Sequence, residues 1–259
     1  MFKRKLSAMK YRHPRYLFRR FEIMRMVKKG ATFLEVGPGD LGLAQDLLAK
    51  FANGVLIDFN DTDVRKIYDE LSLPDRQKLK LIIADFSQYD RFESKFDCVV
   101  ACEVAEHIED DRSFLQKTNE LLLDGGQLIF SVPAHMKYWS VDDVIVGHYR
   151  RYEKQELYQK LAEAGYVQVN IISYGYPFQN LIRLGRIAFA KRQYREKANW
   201  NKIKQSQQSA FMVKRKALID LLGLILNKYT IYPFALFSTL FNKMDQAEGY
   251  VVSAIKPVR

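Results

Sequence analysis

Apolar residues fall along this chain in two alternating rhythms. Short runs rich in β-formers occupy Thr32–Val36, Gly54–Asn60, Leu79–Ala84, Lys95–Cys102, Gln127–Val132, Tyr166–Ser173 and Gly249–Ile255. Between them, apolar residues recur at helical spacing: Leu43, Leu47, Leu48 and Phe51 in one segment, Phe114, Leu115 and Leu121–Leu123 in another, then Glu153–Ala164. A period near two marks strands and a period near 3.6 marks amphipathic helices. Gly125–Gly126 and Gly165 read as helix stops, and Leu71–Leu79, with Pro74, reads as a polar loop. Strands that alternate with helices predict an α/β fold with a doubly wound, mostly parallel, seven-stranded sheet.

Two regions break the alternation. Residues 1–30 interleave Arg and Lys with aromatics, and Phe18, Phe21 and Met24 fit one helix face. Two readings stand open there: a cap helix packed on the core, or a docking helix for an anionic substrate. Between Ser173 and Gly249 lies an excursion far longer than an ordinary connection. Its first half is basic over residues 183–216, its second half is apolar over Ala217–Phe241, and a polar hinge falls at Gln205–Ser209. Asp220, Asn227, Lys228 and Pro233 interrupt the apolar half, which favours two short helices over a membrane span. The expected organisation is a basic cap at 1–30, a core at 31–177 and 246–259, and a helical insertion at 178–245. The insertion either shapes the acceptor pocket, lies on an anionic membrane surface, or joins two copies of the chain.

Composition narrows the class. A chain of 259 residues with 48% hydrophobic content can bury a substantial core. Its net charge of +11 favours an anionic partner. Cys98 and Cys102 offer neither a disulfide framework nor a zinc spacing, which suits a reducing, cytoplasmic setting.

The chemistry concentrates at strand ends. Gly37, Gly39 and Gly42 follow the first strand and fit the weak dinucleotide pattern G-x-G-x-x-G. Glu35, two residues before the first glycine, suits a cationic ligand better than a pyrophosphate, and Pro38 removes a phosphate-binding donor. Asp58 ends the second strand at the distance from the glycines where a carboxylate accepts ribose hydroxyls. Cys102 ends the fourth strand and is placed to line a cofactor pocket. Glu103, Glu106 and His107 stand at i, i+3 and i+4; on a helix they would share a face and could hold magnesium, manganese or zinc. Their other reading is a pair of acids complementing a helix dipole. Arg150 and Arg151 suit an anionic group of the acceptor, or else a solvated helix start.

These segments occur in a familiar order. E-V-G-P-G, the acid ending strand two, A-D-F, F-D-x-V-V, E-V-A-E-H-I and L-L-L-D-G-G-Q-L-I-F-S-V-P together resemble class I S-adenosylmethionine (AdoMet)-dependent methyltransferases over residues 32–175. The resemblance implies a Rossmann-like fold. It also implies that Glu35, Gly37 and Gly39 hold the methionine end of AdoMet, that Asp85 faces the adenine amino group, and that Phe86 packs on the ring. The E-x-x-E-H element resembles the branch with ubiquinone-biosynthesis O-methyltransferases and small-RNA 2′-O-methyltransferases. In its metal-dependent relatives a later histidine completes the site, here His148, with His135 as a spare. The D-x-x-x-G-H-Y-R-R-Y segment resembles methyltransferases found with bacterial polysaccharide and lipid-linked glycan genes.

The resulting expectation is O-methylation of a small or lipid-linked, anionic acceptor of glycan or isoprenoid type. His107 or His148 would act as general base if no metal is bound. The protein would be cytoplasmic, or peripheral on the inner membrane face. Three rivals remain: RNA 2′-O-methylation, an NAD-linked oxidoreductase, and a non-catalytic membrane or assembly factor on the same fold.

Overall fold

A computed structural model describes residues 12–197 and 226–258. The described chain divides into two units. The larger comprises residues 22–137, 149–172 and 249–258, and it contains the sheet. The smaller comprises residues 12–21, 138–148, 173–197 and 226–248. It therefore gathers a segment, 138–148, that lies before the expected insertion.

In the larger unit the strands are β1 (Gly30–Val36), β2 (Phe51–Asp58), β3 (Leu79–Ile83), β4 (Phe96–Cys102), β5 (Leu122–Pro133), β6 (Val167–Ser173) and β7 (Gly249–Ile255). They form one sheet in the order β3-β2-β1-β4-β5-β7-β6. The pairs β3–β2, β2–β1, β1–β4 and β4–β5 are parallel, and β5–β7 is antiparallel. β1 and β4 are the first strands of the two windings, so the crevice at their carboxyl ends is the topological switch point. Buried strands read as continuous apolar runs because both faces are covered. Leu34, Val99, Leu128 and Val252 are accordingly fully buried in one cluster with Phe114, Leu157 and Leu161.

The helices named α1 (Pro14–Met26), α2 (Gly42–Leu47), α3 (Asp61–Asp69), α4 (Leu73–Lys78), α5 (Asp111–Glu120), α6 (Val141–Val146), α7 (Lys154–Glu163), α8 (Phe178–Lys197) and α9 (Tyr232–Ser238) complete the described elements with three short 3₁₀ turns. Several boundaries differ from the expectation. The polar stretch Leu71–Leu79 contains α4, because the Ser72 hydroxyl caps the Asp75 amide and Pro74 occupies the first turn. The helix expected to end at Gly125–Gly126 stops at Glu120, and β5 begins at once: Leu122 pairs with Phe96. The two glycines continue the ladder, with the Gly125 amide donating to the Lys256 carbonyl and the Lys256 amide to the Gly126 carbonyl. Phe51 opens β2 rather than closing a helix, because its ring packs on Phe33 of β1.

In the smaller unit α8 and α9 pack through aromatic rings. Phe178 meets Phe18, Phe234 and Phe237 at centroid distances of 6.0, 5.4 and 6.0 Å. Arg186 forks onto the buried Glu248 with bonds of 3.0 and 2.7 Å and reaches Asp142 of α6 at 2.9 Å. Of the two short helices expected on either side of Asn227–Pro233, the first lies outside the described residues and the second is α9; before it the Asn227 side chain accepts from the Tyr229 and Thr230 amides, and Pro233 sits in the first turn. The basic half beyond Lys197, and the hinge at Gln205–Ser209, lie outside the described residues. Among the described residues no helix is long and apolar enough to cross a membrane.

Candidate cofactor site

β1 delivers a charged side chain into a dry place. Glu35 is 2% exposed, and its backbone lies between Leu56 of β2 and Val100 of β4. Burying a carboxylate is costly without a compensating partner, so its position at the switch point is a specific commitment of the sequence. The chain then turns sharply. Gly37 and Gly39 have φ of +65° and +53°, a region other residues enter at a cost. A Cβ at Gly37 would lie 2.8 Å from the Val104 Cγ2, whereas a Cβ at Gly39 would meet nothing within 4 Å. The first glycine is thus required by packing. The second leaves open a space beside the turn that a side chain would fill.

Asp58 closes β2 against the same turn. Its Oδ1 accepts from the Asn60 amide at 2.9 Å. Burial raises its carboxyl above the ordinary value, while backbone amides of Asn60, Gly39 and Phe59 pull the other way. The Gly39 amide thus links the glycine turn to the acid that ends the next strand. Phe59, the next residue, is 83% exposed. An exposed aromatic ring beside this acid is a feature the hydrophobic pattern did not single out.

The remaining expected cofactor residues fall into two groups. Asp85 is exposed after β3, where it caps the Ser87 amide at 2.8 Å; Cys102 is half-buried at the end of β4. Phe86 is a correction: it is 6% exposed, its ring set edge-on to Phe114 at 5.5 Å and near Phe92. That ring fills the core, whereas Phe59, after the acid that ends β2, stands exposed. Cys98 is a core residue, 1% exposed, with burial pushing its thiol far up.

The acid and histidine cluster after β4 is not helical in the expected way. Glu103 has φ of +57°, and only Ala105–His107 form a 3₁₀ turn. The positive φ takes Glu103 off any shared face with Glu106 and His107, and its Oε1 accepts from the Ser131 hydroxyl at 3.1 Å. Glu106 is fully buried and His107 is exposed. His135, the spare ligand, uses both ring nitrogens inside the fold: Nδ1 meets Glu153 at 2.8 Å and Nε2 meets the Tyr250 hydroxyl at 3.2 Å. It is therefore withdrawn.

The arginine pair is also corrected. Arg150 contacts Asp111 at 2.9 Å and donates to the Glu109 carbonyl at 2.6 Å. Arg151 is 3% exposed and donates to the Ala134 carbonyl at 3.2 Å. Arg150 is drawn onto Asp111, which is also held by Tyr152 and Lys160 and needs cationic partners where it is buried.

His148 belongs to the smaller unit. Its Nδ1 lies 2.8 Å from Oδ1 of Asp143, and the two side chains are 8% and 1% exposed. The other Asp143 oxygen accepts from the Ser140 amide at 2.8 Å, in the capping box that starts α6. An ionised carboxylate only accepts, so this contact calls for a proton on Nδ1, and a neutral ring held this way has its lone pair on Nε2. Sequence reasoning gave His148 a role but gave none to Asp143, the first residue of the D-x-x-x-G-H-Y-R-R-Y segment, which lies in the first turn of α6 five residues before the histidine.

Comparisons with known proteins agree with this geometry. The family described as "Methyltransferase domain" matches residues 10–171. A Mycobacterium tuberculosis protein named a probable S-adenosylmethionine-dependent methyltransferase is 26% identical over 161 residues, covering 60% of this chain and 57% of its own length. The chain thus spans little more than half of that relative. Among solved structures, phosphoethanolamine N-methyltransferase 2 of Haemonchus contortus in complex with S-adenosyl-L-methionine aligns with a TM-score of 0.54 at 15% identity, over 92% of this chain and 52% of that one. The [4+2]-cyclase SpnF aligns with a TM-score of 0.54 at 16% identity, over 95% and 82%. These structural likenesses concern the fold alone, and one fold hosts several chemistries. The family match covers well over half of the residues and contains the acid, the glycine turn and the strand-end aspartates: the chain belongs to the class I S-adenosylmethionine-dependent methyltransferases.

Proposed function

We propose that this protein transfers the methyl group of AdoMet to a hydroxyl oxygen of a small or lipid-linked acceptor. The observation that carries the cofactor half is the cradle at the switch point: buried Glu35, a glycine turn with an open space at Gly39, and Asp58 bonded to the same turn. A sulfonium cofactor with an ammonium group, a ribose and a purine suits that set. Glu35 would attract the ammonium, Asp58 the ribose hydroxyls, and Asp85 with Phe59 the purine. When bound, the cofactor supplies an electrophilic methyl group. The chain's own task is to exclude water, to align the acceptor and to remove its proton.

The oxygen direction is supported by His148. A hydroxyl must lose a proton as it is methylated, whereas a neutral amine can attack first. An imidazole whose tautomer is fixed by a buried carboxylate is built for that proton. A divalent cation on Glu106, His107 and His148 stays a proposal from residue type. Glu103 has left that set, and the oxygen reading takes His148 as a base.

Calorimetry of the full chain with AdoMet, and with NAD as the control, tests the cofactor; a signal with NAD and none with AdoMet would end this reading. Incubation with methyl-deuterated AdoMet and hydroxyl-bearing lipid-linked glycans or isoprenoid intermediates, followed by mass spectrometry, tests the acceptor. A label found only on nitrogen would refute the oxygen assignment while leaving the cofactor site intact.

A further inference from the structure

Helix α9 is built inside out. Its buried stripe is Ile231, Ala235 and Ser238, two of the three with small side chains. The rest of its circumference is large and apolar: Tyr232, Phe234, Leu236 and Phe237 are each about half exposed, and Leu240 in the next turn is 72% exposed. An ordinary surface helix points its large apolar residues inward and its polar residues outward. A contiguous exposed apolar face of this kind marks an interaction surface. It is also braced. Phe234 and Phe237 lean on Phe178, and Tyr232 sets its edge to Phe21 at 5.5 Å, so the face is held open rather than folded away.

Charge says what the face would meet. Residues 183–216 contain eleven Lys and Arg and one acid, Glu196, which is ten of the eleven net charges of the chain. The excess is therefore concentrated in the segment that leads, through the sequence, into the apolar face. A second copy of the chain would bring like charge to like. A nucleic acid would take up the cations but would not explain outward leucine and phenylalanine side chains. An apolar helix face rimmed by aromatics and joined to a cationic segment matches the boundary of an anionic bilayer, with rings and leucines among the acyl chains and cations on the headgroups. With seven residues α9 is far too short to span.

We infer that the outer face of α9 and Leu240 docks on a lipid surface, and that the chain's excess of cations selects an anionic one. The inference stands apart from the reaction chemistry, and a lipid-linked acceptor would be met at that same surface.

Flotation of the full chain with phosphatidylcholine vesicles containing phosphatidylglycerol, against phosphatidylcholine alone, tests it. Binding is expected to the anionic vesicles at low salt, to weaken with added salt, and to be slight on the neutral ones. The Leu236→Ser/Leu240→Ser variant should lose about tenfold or more in partitioning, given what two exposed leucines gain on burial. Its melting temperature and its AdoMet affinity should match the parent. Leu240→Ser alone replaces it if the double variant does not fold. Lys214→Glu/Arg215→Glu/Lys216→Glu should lose binding as well. No binding to anionic vesicles at low salt overturns the inference. So does binding that the leucine changes leave untouched, or light scattering that shows a dimer dissolved by the same changes.

Discussion

Replacing Gly37 and Gly39 by alanine, one at a time, separates packing from ligand space within a single turn. Both residues have positive φ, so either alanine carries a backbone cost of roughly 1–2 kcal/mol. At Gly37 the new methyl also lies 2.8 Å from the Val104 Cγ2, closer than carbon atoms approach. Overpacking of that kind adds about 1–3 kcal/mol, so Gly37→Ala should destabilise by about 3 kcal/mol in all. For a domain of this size that lowers the melting temperature by about 10 °C. Gly39→Ala meets no atom within 4 Å and should cost only its backbone share, a shift of about 4 °C. Its methyl would enter the space assigned to AdoMet. Calorimetric affinity should therefore fall about tenfold to a hundredfold at Gly39→Ala, out of proportion to the small loss of stability. Adding Val104→Ala should restore part of the stability of Gly37→Ala and do nothing for the affinity of Gly39→Ala, a coupling that a double-mutant cycle measures. Unchanged AdoMet affinity in Gly39→Ala would refute the cradle. Failure of Val104→Ala to rescue Gly37→Ala would refute the steric account of the first glycine.

Two further outcomes test individual side chains. In Asp143→Asn one of the two oxygens becomes an amide; if the remaining oxygen keeps the fixed Ser140 amide, the new N–H group faces His148 and moves its ring proton to Nε2. Nitrogen NMR of the histidines reads that tautomer directly, and an unaltered His148 spectrum would show that Asp143 does not set it. Asp111 makes stability pH-dependent. Burial alone would raise its carboxyl, but bonds from Lys160, Tyr152 and Arg150 hold it below the usual value. Its contribution is therefore complete above the unfolded value of about 3.9 and is lost as pH falls through the lower folded value. Asp111→Asn should destabilise by about 3 kcal/mol at neutral pH and flatten the acid limb of the stability curve, as thermal melts across pH would show.

The strand positions and the acids at strand ends were legible because they depend on short-range pattern; the order of the strands in the sheet was not, because it depends on distant pairing. A buried parallel strand is an uninterrupted apolar run, and Glu35, Asp58 and Asp85 are recognisable as acids where such runs stop. What escaped depends on backbone direction and on distant partners. The positive φ of Glu103 turns an apparent i, i+3, i+4 helix face into a 3₁₀ turn, and no side-chain periodicity reports it. Phe86 and Phe59 each follow a strand-end acid and look alike in sequence; only the packing of Phe92 and Phe114 on Phe86 decides which ring is buried. Arg150 looked available because Asp111, some forty residues away, gives no local sign of claiming it, and the Ala134 carbonyl that takes Arg151 is equally silent in the sequence.

The sheet order carries a consequence for how such a chain can diverge. β6 and β7 are neighbours in the sheet, yet everything from Tyr174 to Glu248 lies between them in sequence. Closing a longer detour between fixed anchor points becomes dearer only logarithmically, by about 0.6 kcal/mol per doubling of length. The detour can thus be lengthened, recomposed or exchanged as a cassette while β1 to β5 keep their register. Whatever the detour contributes can then change at a different pace from the glycine turn within one molecule.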